Sequence, residues 1–352
     1  MKNSRHIGGS FCIAMEKVRA ICYNEKKQNR EVIHMSICRF GIIGAGGIAA
    51  HFCKAIKLVE GAEVVAVASS SEARAEKFAK ECGVKEFYGS YEQMLQQADI
   101  NVVYIATTHN FHMDNIRLCF AYGKHVLCEK AMVLTEADAR EVFAMAKEKN
   151  LFCMEAMWSR FIPQYQKAKQ WITEGRIGAI QSASVVIGFK ATTDPQHRLI
   201  NPDLAGGAMY DIGVYAIEPL TYLIGEKVED CIGVWRKHPI TGVDARVTMI
   251  LRFASCDAAL QCLFTSNAKE YVVINGSEGV IEIPFVSGGY EVRLYDGQKN
   301  LVEEFHDHWE HGFVYELEEV VKCIREGRIT STIMPPEATI ECAAIYDKIL
   351  RG

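Results

Sequence analysis

Apolar positions in the first half of the chain come in short runs, and the stretches between them carry helical spacing. Phe40, Ile42 and Ile43 form the first run. Ile48, Phe52, Ile56 and Val59 then recur on one helical face. Residues 63–68 read as a second strand. Residues 72–82 read as a helix with Ala75, Phe78, Ala79 and Cys82 inward. The run at 102–106 is almost continuously apolar, as in a strand covered on both faces. A helix at 112–122, a strand at 125–130, a helix opened by the Thr135/Asp138 capping pair and running to about 149, and a strand at 151–154 follow. This alternation predicts an α/β domain built on a parallel, doubly wound sheet.

The pattern changes after Trp158. A helix at 163–174, a strand at 180–187 and a helix at 206–224 lead into strand-like runs at 228–236, 245–254, 257–266, 270–275, 279–285 and 291–296. Turn pairs such as Asn275-Gly276 and Asp296-Gly297 separate some of them. Two helices near 312–326 and 336–350 end the sequence. The second half therefore reads as an α+β domain with a mainly antiparallel sheet. The expected organisation is an N-terminal extension at 1–35, a dinucleotide-binding domain at 36–156 and a substrate-binding and oligomerisation domain at 157–352, with the last helix packing back on the first domain.

The chain has 352 residues and a formal net charge of −5, which points to neither nucleic acid nor a membrane surface. No apolar stretch reaches the ~20 residues of a bilayer span. The first 34 residues are basic and aperiodic, and Met35 stands just before the first strand as a natural start. The 13 cysteines are scattered without a C-x-x-C pair, mostly among apolar neighbours, so reduced core thiols in a cytoplasmic protein are expected. His306-Asp307-His308-Trp309-Glu310-His311 supplies metal-ligand types without a metal-site spacing; a polar turn, and no metal, is the expectation.

Chemistry concentrates at four places. After the first strand, Gly44-Ala45-Gly46-Gly47-Ile48-Ala49 has the G-x-G-x-x-G/A spacing of a dinucleotide turn. Gly44 permits the tight turn, Gly46 admits a pyrophosphate, and Ala49 lets the helix pack close, with its N-terminus facing the anion. At the end of the second strand, where an acidic residue would bind the ribose of NAD, stand Ser69, Ser70 and Ser71, then Glu72 and Arg74. These hydroxyls and Arg74 suit a 2′-phosphate, which favours NADP, while Glu72 keeps NAD open. Ser71 also reads as a plain helix cap. Thr107, Thr108, His109, Asn110 and His112 cluster at the end of a buried strand, and Glu129-Lys130-Ala131 ends another strand at the same edge. Finally, Gly206-Gly207-Ala208-Met209-Tyr210-Asp211-Ile212-Gly213-Val214-Tyr215 puts Asp211 and Tyr215 four apart on one helical face, with glycines where something approaches closely. A phenol beside a cationic lysine is expected to have its pKa lowered from ~10, making Tyr215 the acid/base candidate.

Taken together, Gly44-Ala45-Gly46, Thr107 to His112, Glu129-Lys130 and Gly207 to Tyr215 resemble the glucose–fructose oxidoreductase / inositol dehydrogenase / rhizopine catabolism (Gfo/Idh/MocA) family from about Met35 to the C-terminus. Glu155-Ala156-Met157-Trp158-Ser159-Arg160-Phe161 together with Tyr215 is most similar to its dihydrodiol dehydrogenase and NADP-dependent D-xylose dehydrogenase branch. The resemblance implies a Rossmann domain followed by an open antiparallel sheet whose outer face joins subunits into a homodimer or homotetramer. It implies hydride transfer between NAD(P) and a secondary hydroxyl or carbonyl of a sugar, polyol or trans-dihydrodiol. Lys130 and Tyr215 would bracket the reacting carbon, and Asp211 would orient the substrate or the acid/base. Trp158 and Arg160 would lie near nicotinamide and substrate, and Phe189 and Lys190 would wall the pocket. Two rival readings keep the fold: a nicotinamide-dependent glycosidase, and a non-catalytic NAD(P)-binding sensor. Two positions depart from the family pattern. Ala131 stands where the family has proline, which lowers the expectation of a cis bond after Lys130. Tyr215 stands where most members have histidine.

Overall fold

The computed structural model describes residues 37–352; the extension expected at 1–35 lies outside them. The first half runs β1 (Cys38–Ile43), α1 (Gly47–Ala55), β2 (Ala62–Ala68), α2 (Glu72–Cys82), β3 (Glu86–Tyr88), α3 (Tyr91–Gln97), β4 (Val102–Ile105), α4 (His112–Ala121), β5 (His125–Glu129), α5 (Glu136–Lys149) and β6 (Cys153–Ala156). Its six strands pair in parallel in the order β3-β2-β1-β4-β5-β6. This is the doubly wound order, with its switch point between β1 and β4. Local chemistry sets the element ends. Ser71 caps α2 by accepting the Arg74 amide, and Gly83, at φ +75°, closes it in the left-handed region.

α1 is fixed to the sheet by Phe52, which is fully buried and stacked on Tyr104 of β4 with ring centroids 3.9 Å apart. Burying such a ring contributes about 1.5–3 kcal/mol. Ile56 and Val59 are also buried, but Ile48 stays 37% exposed at the open end of the helix instead of joining that face.

The second half comprises α6 (Pro163–Thr173), β7 (Ile180–Gly188), α7 (Val214–Ile224), β8 (Asp230–Lys237), β9 (Asp244–Arg252), β10 (Asp257–Leu263), β11 (Tyr271–Gly276), β12 (Gly279–Ile283), β13 (Glu291–Asp296), β14 (Leu301–His306), α8 (Phe313–Arg325) and α9 (Pro336–Arg351). Its eight strands lie in the order β14-β13-β12-β11-β7-β10-β9-β8, and every pairing is antiparallel except β7 with β10. The alternating burial of β9 and β10 turns one face inward. α9 packs against both α5 and β8, and Asp347 on it accepts the first amide of α5, from Glu136, at 2.8 Å.

Three elements lie outside the expected set. β3 and α3 are short, and β14 is an edge strand whose Leu301 and Val302 are exposed, so none carries a clear apolar period. His306 therefore ends a strand rather than forming a turn. The helix expected from Gly206 starts instead with a π-helical turn at Met209–Gly213 before α7. Gly207 takes φ +137°, and a Cβ there would collide with the Asp244 carboxylate, which accepts the Met209 amide at 2.6 Å. The glycine is required by that capping acid on β9, not by a ligand.

Candidate active site

The glycine-rich turn follows β1 at the switch point. Gly44 sits at φ +104°, and a Cβ there would stand 2.8 Å from the Ala106 carbonyl, so strand proximity dictates this glycine. Gly46 and Gly47 differ: a Cβ on either would meet nothing within 4 Å. Gly46 is the N-cap of α1 in extended backbone without a side-chain cap. The helix thus begins, through Gly47, Ile48 and Ala49, with amides that no side chain satisfies, beside open space. That arrangement fits a pyrophosphate. At the end of β2, Ser70 Oγ accepts Arg74 Nη2 at 2.7 Å, and the buried Ser69 hydroxyl accepts the Ser71 amide at 3.4 Å. Ser71 is the helix cap, and Arg74 is held at the strand end beside Ser70.

The cluster after β4 mostly serves the scaffold. His112 is fully buried, with its ring nitrogens 3.0 Å from the Ala131 carbonyl and 3.1 Å from that of Thr107. His109 sits between the carbonyls of Ala205, at 3.3 Å, and Lys130, at 3.2 Å. Burial, with His112 and Lys130 nearby, lowers its pKa to about 3, so it is neutral. Asn110 donates to the Asp203 carbonyl at 3.0 Å, and Thr107 Oγ1 accepts from Asn115 at 3.1 Å. The rings expected to face a cofactor instead lie between the β4 turn and the lysine loop, where a neutral imidazole, with its single N–H, donates to one of the two carbonyls that flank it.

Lys130 is the centre of the arrangement. Its Nζ donates to the Asp211 carbonyl at 2.7 Å, lies 3.3 Å from Asp211 Oδ1 and stands 4.7 Å from the centroid of the Tyr215 ring. The peptide linking it to Ala131 is cis. Asp211 also pairs with Arg198 at 3.0 Å. Burial pushes its carboxyl up, but the Lys130 and Arg198 cations outweigh burial and hold it at about 2. Above pH 4, where an unfolded aspartate is ionised, this pairing stabilises the fold in full; it is lost as pH falls toward 2. Asp211→Asn should therefore be less stable than wild type in urea at neutral pH, with the gap closing between pH 4 and 2. A gap independent of pH would refute the pairing.

Tyr215 departs from expectation. Its phenolic oxygen accepts Trp158 Nε1 at 2.9 Å, and its pKa is raised, not lowered. Burial is the first cause, and the carboxyls of Glu129, Asp211 and Glu316 add to it. The lysine does not reverse this because its ammonium is bonded to Asp211 and faces the ring rather than the oxygen. Glu129 is buried, hydrogen-bonded by the Tyr104 hydroxyl, and likewise shifted upward by burial.

Trp158 packs edge-on against Trp309 at 5.8 Å and near Phe313 at 5.7 Å; a Cβ on Gly288 or Gly312 would strike its ring. Arg160 does not lie toward the lysine. It is buried in an ion pair with Glu218 and also donates to Thr221 Oγ1 at 3.0 Å and the Ile333 carbonyl at 3.2 Å. Apolar surroundings leave a guanidinium there stable only against a carboxylate. Phe189 packs on Phe264 at 5.3 Å, and Lys190 is exposed; among the described residues neither makes a polar or ring contact with Lys130 or Tyr215. Sequence reasoning missed Arg198, which sits in an aperiodic segment, and Asp244, Trp309 and Gly288, which reach the site only through the second sheet and its loops. Glu291, Glu304 and His306 converge on β13 and β14, but Arg293 pairs with both carboxylates, at 2.9 and 2.7 Å.

A switch-point turn open to a pyrophosphate after β1, with a lysine, a phenol and a carboxylate meeting past the end of β5 on the same edge of the parallel sheet, fits a nicotinamide-dependent oxidoreductase. Residues 38–157 match the family described as "Oxidoreductase family, NAD-binding Rossmann fold", and residues 165–282 match the "GFO/IDH/MocA C-terminal domain". The chain belongs to the Gfo/Idh/MocA oxidoreductase family. It is 33% identical to trans-1,2-dihydrobenzene-1,2-diol dehydrogenase of Mus musculus, over 84% of this chain and 91% of that protein. It is 31% identical to D-xylose 1-dehydrogenase (NADP(+)) of Hypocrea jecorina, over 89% of this chain and 91% of that protein. The fold is shared with the aldose–aldose oxidoreductase of Caulobacter crescentus: TM-score 0.81, 23% identity, covering 89% of this chain and 96% of that one. Among the described residues no helix is long and apolar enough to cross a membrane.

Proposed function

We propose that this protein interconverts a secondary hydroxyl and its carbonyl on a sugar, polyol or trans-dihydrodiol, with NADP as the preferred cofactor. The convergence of Lys130, Asp211 and Tyr215 at the sheet edge that carries the dinucleotide turn supports this reading. The substrate class is supported by the dihydrodiol and xylose dehydrogenases to which the chain is similar. Gly46, Gly47 and the start of α1 would hold the pyrophosphate, and Ser70 with Arg74 the 2′-phosphate. When bound, the nicotinamide supplies or accepts the hydride. The chain supplies position and the proton. Tyr215, protonated because burial favours the neutral phenol, donates to the carbonyl oxygen in reduction and recovers that proton in oxidation. The Lys130 ammonium, anchored by Asp211, stabilises the oxygen as charge develops. Trp158 keeps the Tyr215 hydroxyl oriented. An intact set of this kind favours catalysis over a sensor role. The test is an absorbance screen for reduced nicotinamide against pentoses, hexoses, inositols and trans-dihydrodiols with either cofactor. No turnover on any of them would overturn it, and release of sugar from a glycoside without net absorbance change would favour the glycosidase.

Cofactor choice has its own test. Loss of a charge-assisted contact costs about 1.5–3 kcal/mol, so Arg74→Ala should raise KM for NADP by about ten- to a hundredfold and leave KM for NAD nearly unchanged. Equal effects on both cofactors would remove the 2′-phosphate assignment.

The reading extends to assembly and place: a cytoplasmic homodimer or homotetramer joined through the outer face of the eight-stranded sheet. Ile232 and Val234 on β8 and Ile250 on β9 are 62%, 69% and 42% exposed on neighbouring strands, an apolar patch of the kind interfaces use. The double variant Ile232→Glu/Val234→Lys should elute as a monomer by light scattering if this face is the contact; an unchanged mass would exclude it.

A further inference from the structure

Asp244 opens β9 and is only 5% exposed, yet among the described residues no cation pairs with it. Backbone amides meet its carboxylate instead. Oδ2 accepts the Met209 amide at 2.6 Å, and the Ala208 amide and its own amide also bond to the carboxylate. The Ala208 and Met209 amides open the π-helical turn at Met209–Gly213, which has no side-chain cap of its own. From 35 positions later in the chain, the acid therefore caps the helix that carries Asp211 and Tyr215. Unpaired amides and aligned peptide dipoles favour an anion at such a place.

The turn is held from both ends. Gly207, at φ +137°, leaves the space that the carboxylate fills; its carbonyl accepts the Asp211 amide at 3.3 Å, and its amide bonds the Leu199 carbonyl at 2.9 Å. At the other end the Val214 amide reaches back five residues to the Met209 carbonyl, which widens the helix into a π-turn. Between these ends lie the Asp211 carbonyl and carboxylate that hold Lys130, and two residues past the turn stands Tyr215, whose ring the ammonium faces. A shift of this turn moves both partners of Lys130 together.

The surroundings also set when the cap is charged. Burial pushes the Asp244 carboxyl up to about 7, against the pull of the three amides. The titratable groups facing it are the Cys262 thiol on β10 and the Tyr210 phenol in the turn, both raised first by burial. On α9, Arg351 is paired with Asp347 and donates to the Tyr210 hydroxyl at 3.0 Å rather than to Asp244. No neighbouring charge therefore holds the carboxylate ionised. A protonated acid keeps one good acceptor oxygen and brings an O–H among amide donors, so the cap weakens as pH falls through about 7.

We propose that Asp244 is a positioning residue of the reaction: its carboxylate, reaching across from β9, seats the π-turn so that Asp211 and Tyr215 meet the Lys130 ammonium. This rests on the reading of Lys130 and Tyr215 as the reacting pair. The experiment compares wild type with Asp244→Asn, which keeps the size of the side chain and cannot ionise. It uses NADP with D-xylose or trans-1,2-dihydrobenzene-1,2-diol, the substrates in the names of the two similar dehydrogenases. At about pH 8, kcat should fall about ten- to a hundredfold, as for a reacting group misplaced by about 1 Å, while KM for NADP stays within about twofold. Wild-type kcat should decline below about pH 7, and that limb should be missing from Asp244→Asn, so that the deficit narrows with acid. An unchanged kcat, a deficit constant across pH, or a rise in KM for NADP as large as the fall in kcat would each overturn the proposal. Failure of wild type to turn over either substrate bears on the proposed reaction and not on Asp244. In that case, or if Asp244→Asn does not fold, hydrogen–deuterium exchange on the wild-type chain decides. Corrected for intrinsic rates, peptides covering residues 206–215 should lose protection as pH falls through about 7, and protection that stays flat would overturn the proposal.

Discussion

Lys130→Met and Tyr215→Phe are each expected to lower kcat/KM by about 10²–10⁴-fold while nicotinamide binding stays intact. The two side chains act as one unit: the ammonium lies 4.7 Å from the phenol ring centroid, and Asp211 anchors it from below through both its carbonyl and its carboxylate. Removing either therefore removes most of what the pair does. The double variant should be no worse than roughly tenfold below the poorer single one. Cofactor affinity should be nearly unchanged, because the open turn at Gly46 and Gly47 and the Ser70–Arg74 contact are untouched. The split is read from steady-state kinetics with substrate and from fluorescence titration with NADPH. Near-wild-type turnover in both single variants would dissolve the proposed roles.

Arg160→Met should have the largest effect on stability. It leaves Glu218, which is wholly buried, without its cation, at a cost of about 3–5 kcal/mol. Burial already pushes the Glu218 carboxyl toward its neutral form, and the arginine is the main group that opposes this, with a smaller contribution from the Cys342 thiol. Replacing both partners, in Arg160→Met/Glu218→Leu, should recover most of the loss, because an apolar pair of similar volume has no charge to desolvate. Urea denaturation of the three proteins measures this. KM for NADP in folded Arg160→Met should stay within about threefold of wild type, since loss of even one charge-assisted hydrogen bond to the cofactor would exceed that. A large rise in KM with unchanged stability would return Arg160 to the nucleotide site.

The fold of the first half was legible because its signals are local. Glycines at 44 and 46, the apolar run at 102–105 and the Ser71 and Thr135 caps each fix structure within a few residues. The second sheet was legible as a set of strands, but β14 was not, since an exposed edge strand needs no apolar alternation. The candidate site divides the same way. Lys130, Asp211 and Tyr215 stood out by residue type at a strand end and on a helical face. Trp309, Asp244 and Arg198 did not, because each meets the site only through contacts distant in sequence, such as Asp244 with Met209.

The sequence by itself determined the doubly wound domain, the dinucleotide turn and the family, because these depend on backbone freedom and on spacing along the chain. Tertiary structure alone decided how the charged groups behave. It set Arg160 against Glu218, buried His109 and His112 as neutral rings among backbone carbonyls, and raised the Tyr215 pKa that lysine proximity was expected to lower. The physical reason is that a charge or a proton is governed by desolvation and by every dipole that folding brings within a few ångströms, and neither is written in the order of the residues.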